Sequence, residues 1–167
     1  MTLPISQDLA DPARVRYQQV FPGTEKQIRE LRGWLTDRLP DCATRDDVIT
    51  IAAELATNAV KHTASGRGGW FTVVVSWHAA AVRIAVGDQG ASSGPRLTGD
   101  HDPLAESGRG LQVVSCLAAR AGVAGGRDGR VVWAELPWPY EVSGKAALGG
   151  PAGQLVPRGQ LKLMQDR

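Results

Sequence analysis

A chain of 167 residues, 43% hydrophobic and 22% charged, is long enough for one domain with a buried core, and its balance excludes a wholly disordered protein. A formal charge of +2 without an obvious basic stripe argues against direct nucleic-acid binding, and no apolar run reaches the roughly 20 residues that span a bilayer. Cys42 and Cys116 are isolated thiols without metal-ligand spacing, and no charged-then-apolar leader opens the chain, so a cytoplasmic protein with reduced cysteines is expected.

Residues 1–13 carry Pro4, Asp8, Asp11 and Pro12 and read as a flexible arm ahead of a domain spanning 14–139. Residues 14–21 alternate Val15 and Tyr17 with Arg16 and Gln18, the pattern of a strand with one wet face, and Pro22-Gly23 breaks it. Thr24 with Gln27 three residues on is a capping-box start for a helix that stripes Ile28, Leu31, Leu35 and Leu39 and stops at Pro40. A second helix is expected over about 44–62. Asp46 and Asp47 sit in its first turn and favour its dipole, while Val48, Ile51, Leu55 and Ala59 form the buried stripe.

After a glycine-rich loop at 65–69, the β-prone stretches 70–77 and 82–86 are joined by a link short enough for an antiparallel hairpin. Residues 87–110 are rich in Gly, Ser and Asp, and a loop of that length inside a domain is more often functional than idle. A third helix from 111 to about 121 would bury Leu111, Val114, Leu117 and Ala118, and a strand at 130–136 closes the pattern. From 140 to 167 the composition turns Gly-, Pro- and Ala-rich and then polar, as in a disordered tail. This order of elements predicts an α+β two-layer sandwich, a mostly antiparallel sheet with helices on one face. The other face of the sheet would need its own cover or a partner.

Three clusters could carry chemistry. Glu54 and Asn58 lie four apart on the second helix and point the same way: a carboxylate able to orient or deprotonate a nucleophile, and an amide oxygen able to hold magnesium. Periodicity alone favours two solvated surface residues. Asp88-Gln89-Gly90 ends a strand, where the aspartate can accept from an exocyclic amine and Gly90 lets the chain turn close to a ring; alone, the motif is more often a plain turn. Gly108-Arg109-Gly110-Leu111 precedes a helix, where backbone amides and the dipole attract an anion and Arg109 adds charge; a flexible linker is the bland alternative. It is neither a Walker loop nor a dinucleotide fingerprint.

In this order and spacing, the three clusters resemble the conserved boxes of the histidine-kinase-like ATPases, which share the Bergerat ATP-binding fold. Pro22-Gly23, Glu54-Leu55-x-Thr57-Asn58-Ala59-Val60-x-His62, Gly108-Arg109-Gly110-Leu111 and Val132-Trp133-Ala134-Glu135-Leu136 look like the small anti-sigma-factor serine/threonine kinases of actinobacterial type, over about residues 21–137. The resemblance implies ATP and Mg2+ as cofactors, with Asn58 as the metal and nucleotide contact and Glu54 as the catalytic base. Asp88 would receive the adenine amino group with Gly90 beside the base, Gly108, Arg109, Gly110 and Leu111 would hold the phosphates, and about 91–107 would form the ATP lid. It implies a protein kinase that sequesters a sigma factor and phosphorylates an anti-anti-sigma factor, with a homodimer as the family's common state.

The chain departs from the wider superfamily in lacking a phospho-accepting histidine box, which argues against a sensor histidine kinase. It also lacks Ser or Thr in the strand at 130–136, where some relatives place a hydroxyl near adenine. A different class of function stays open: a non-catalytic module of the same fold that sequesters a regulatory protein without transferring phosphate.

Overall fold

The computed structural model describes residues 16–78, 80–91, 109–142 and 155–157. The arm at 1–13, most of the lid and Gly108 lie outside the described residues, as does the tail apart from 140–142 and 155–157. The elements are β1 (Arg16–Pro22), α1 (Glu25–Thr36), α2 (Ala43–His62), β2 (Trp70–His78), β3 (Ala81–Asp88), α3 (Arg109–Leu117), β4 (Arg120–Gly126), β5 (Gly129–Pro137), β6 (Tyr140–Val142) and β7 (Leu155–Pro157). Strands β1 to β5 form one antiparallel sheet in the order β1-β2-β3-β5-β4, and β6 pairs with β7 separately. The α+β sandwich expected from the sequence is the fold.

Alternation in the strands decides which face the helices cover. Val82, Ile84 and Val86 of β3 are buried, in register with Val75 and Val73 of β2 and with Leu136, Ala134 and Val132 of β5. Leu31 and Leu35 of α1 and Val48, Ile51, Leu55 and Ala56 of α2 close over that layer. Burying each large aliphatic side chain stabilises by about 1.5–3 kcal/mol, so this contiguous layer is the main source of stability. The run of alanines at 52, 53, 56 and 59, all buried, gives α2 a slim inner surface against the sheet.

The opposite face is partly covered from within. Arg83 of β3 donates through Nε to Glu135 Oε1 at 2.7 Å and lies 4.5 Å over the Trp133 ring, while Gly122 of β4 leaves room for that indole. Val20 on the edge strand β1 remains 53% exposed.

Several expectations at element ends are corrected. Thr24 precedes α1 in an extended conformation but makes no side-chain cap; the Gln27 amide bonds the Thr24 carbonyl instead. Helix α1 ends at Thr36 rather than at Pro40, although Leu39 still packs into the core. Helix α3 begins at Arg109 and stops at Leu117, and a strand follows from Arg120. Arg120–Gly126 has little intrinsic β-propensity, and its place in the sheet comes from pairing along the free edge of β5.

Candidate functional site

Two of the three clusters stand on helices that pack side by side, α2 and α3, and the third ends β3, against which α2 also packs. Glu54 and Asn58 lie one turn apart on α2, both half-buried, on the flank of the helix whose inner surface meets the sheet. Thr57, between them, turns its hydroxyl back to the Ala53 carbonyl at 2.7 Å and so is occupied within the helix. The Glu54 carboxylate reaches the first turn of α3: a Cβ on Gly110 would fall 2.5 Å from Glu54 Oε2. A side chain at position 110 would therefore push the carboxylate aside. The first turn of α3 thus lies next to the carboxylate, and a helix start is where backbone amides and the helix dipole favour an anion.

The end of α2 is laced to the end of β3. The Thr63 hydroxyl donates to the Ala59 carbonyl at 2.6 Å and accepts from the Ser65 amide at 3.1 Å. Ser65 Oγ in turn accepts from the Gln89 amide at 3.0 Å, and the Ala64 amide donates to the Gly90 carbonyl at 2.9 Å. These bonds fix Asp88 and Gly90 relative to the helix that carries Glu54 and Asn58. Gly90 has φ +78, and a Cβ there would collide with the Arg127 carbonyl in the β4–β5 turn. The glycine is required by its own backbone and by that turn, a reason local sequence could not supply.

Asp88 is buried, at 3% exposed. Its Oδ1 accepts from the Gly90 amide at 2.7 Å, and both of its oxygens lie 3.4 Å from Arg130 Nε. Burial pushes the Asp88 carboxyl above the usual carboxylate range, while the Gly90 amide and the Arg130 charge pull in the opposite direction. Arg130 is itself buried and is the direct cross-strand partner of Asp88. It was not among the residues expected at the site. The signal was present in the sequence as the one cation of a mostly apolar strand, where a buried charge requires a partner.

Of the other expected residues, Leu111 packs partly buried against the core, which fixes the start of α3, and His62 is exposed at the end of α2. Arg109 opens α3, and Gly108 lies outside the described residues. Among the described residues, no group of three or more His, Cys, Asp or Glu could cage a metal ion. A magnesium ion at Asn58 would draw its remaining ligands from phosphate oxygens and water, as that ion commonly does, and the half-exposed amide on α2 fits such a role. No helix among the described residues is long and apolar enough to cross a membrane.

None of the curated proteins compared matches the chain. A family model described as the histidine kinase-like ATPase domain matches residues 21–136, a span from the end of β1 to the end of β5 that contains Glu54, Asn58, Asp88 and Gly110, and the chain belongs to that family of ATPase domains.

Proposed function

We propose that the chain is an ATP-dependent serine/threonine protein kinase that acts as an anti-sigma factor, holding a sigma factor and phosphorylating a serine of an anti-anti-sigma protein. The observation that supports it most is the position of the Glu54 carboxylate against the first turn of α3, with Asn58 one helical turn away. Phosphoryl transfer depends mainly on positioning and on charge neutralisation. Amides at the start of α3 would hold phosphate oxygens, and Asn58 would hold magnesium, whose charge neutralises the phosphates. Glu54, beside the same turn, would orient the attacking hydroxyl and take its proton. Asp88, with its oxygens fixed by donors, would accept the exocyclic amine of adenine.

Calorimetric titration of Mg-ATP into the wild type and into Asn58→Ala and Glu54→Ala tests this assignment. Asn58→Ala should lose magnesium-dependent affinity with its fold intact. Glu54→Ala should keep affinity and transfer phosphate to a serine-bearing partner about 10²–10⁴-fold more slowly. Equal transfer rates would remove Glu54 from catalysis. Absence of ATP binding by the wild type would favour a nucleotide-free sequestering module.

A further inference from the structure

The buried pair of Asp88 and Arg130 is unusual chemistry for the end of a sheet. Asp88 and Arg130 face each other across β3 and β5, on the same side as Val86 and Val132, the side the helices cover. Both are nearly inaccessible, at 3% and 6% exposed, so each charge depends on the other and on fixed dipoles rather than on water. Among the described residues, the carboxylate is met by donors: the Gly90 amide at 2.7 Å, Arg130 Nε at 3.4 Å from both oxygens, and the Arg130 backbone amide. A carboxylate offers about four acceptor positions, so this set leaves room for a further donor from a ligand and none for an acceptor.

We propose that Arg130 sets the base specificity of the site: its guanidinium holds Asp88 as a fixed, acceptor-only carboxylate, so that a purine with a 6-amino group is taken and one with a 6-oxo group is refused. The inference rests on the nucleotide-binding reading of the site and goes beyond it by assigning discrimination to a residue outside the three clusters. The physical basis is the asymmetry of hydrogen-bonding sites. A buried carboxylate set against a carbonyl oxygen leaves two acceptors facing each other without water, whereas a carboxylic acid can donate to that carbonyl. Without Arg130, burial acts on Asp88 with less opposition, the carboxyl gains its proton at higher pH, and the refusal of the 6-oxopurine is lost. Arg130 acts here through Asp88 and is a positioning residue.

The test is titration of Mg-ATP and Mg-GTP into the wild type, Arg130→Met, Arg130→Gln and Arg130→Lys from pH 5.5 to 8.5, with Asp88→Asn as a control for the site. The wild type should prefer ATP at least about tenfold, and should keep that preference further toward the acid end than the neutral variants do. In Arg130→Met the ATP to GTP ratio should fall about tenfold at the acid end and recover as pH rises, while Arg130→Lys, which keeps the charge, restores the wild-type profile. Arg130→Gln keeps a donor and a polar group of similar length; it should follow the methionine variant, and it decides the matter if the latter does not fold. An unchanged ratio and a flat profile in the neutral variants would overturn the proposal and leave the pair a structural ion pair. Wild-type protein that binds neither nucleotide, or binds ATP equally well as Asp88→Asn, would overturn the nucleotide reading of this site itself, an outcome distinct from the first.

Discussion

The two ends of β3 meet opposite demands. At the end near Val82 the surroundings are aromatic: Trp138, fully buried, stands 5.8 Å from Trp77, which stands 5.7 Å from Tyr17, and the Trp138 amide bonds the Ala80 carbonyl at 2.8 Å. At the other end the same layer finishes in Asp88, Arg130 and Gly90, with hydrogen bonds running back to the tail of α2. One end is closed by edge-to-face rings, and the other is held by directional bonds that orient charge. Packing tolerates any surface that fills the space, whereas a site that must recognise a ligand has to keep polar atoms buried and aimed. On the proposed reading, the molecule separates stability and ligand recognition along a single strand.

That separation can be broken by mutation. The largest effect is expected for Trp138→Ala, about 3–5 kcal/mol of stability lost in urea unfolding, because the side chain is fully buried and its removal opens a cavity. Nucleotide affinity of the molecules that stay folded should not change; a parallel loss of affinity would show that the two ends are coupled. Gly90→Ala should cost about 1–3 kcal/mol from the positive φ alone, and more from the collision against the Arg127 carbonyl. Unlike the tryptophan variant, it should also weaken ATP binding, because relieving the collision would shift the backbone amide that donates to Asp88. A variant with unaltered binding would detach Gly90 from the site.

The smallest effect has a defined sign. Because burial raises the Asp88 carboxyl, the folded protein binds that proton more readily than the unfolded chain. The stability contributed by this group is present in full below the unfolded value near 3.8 and is lost as pH rises through the raised folded value. Denaturation of wild type and Asp88→Asn between pH 4 and 7 should show the wild type losing ground to the variant as pH rises. The opposite slope would mean that pairing with Arg130 outweighs the cost of burial.

Much of this architecture was legible in the sequence, since it depends on near neighbours. Alternation identified β2 and β3 and their hairpin, and the apolar stripe of α2 placed Glu54 and Asn58 together on one side of a helix. The spacing of the clusters also pointed to the family that residues 21–136 match. What escaped it was decided by contacts between distant segments. Strand β4 is glycine-rich and exists because β5 offers an unpaired edge. Trp138 follows a proline and carries no periodicity, yet it closes one end of the core. The partner of Asp88 lies 42 residues away, and the requirement for glycine at position 90 arises from a turn on another hairpin. Local sequence encodes backbone preference and the side on which a residue faces, but a buried charge acquires its partner, and so its chemistry, only when the sheet brings two strands into register.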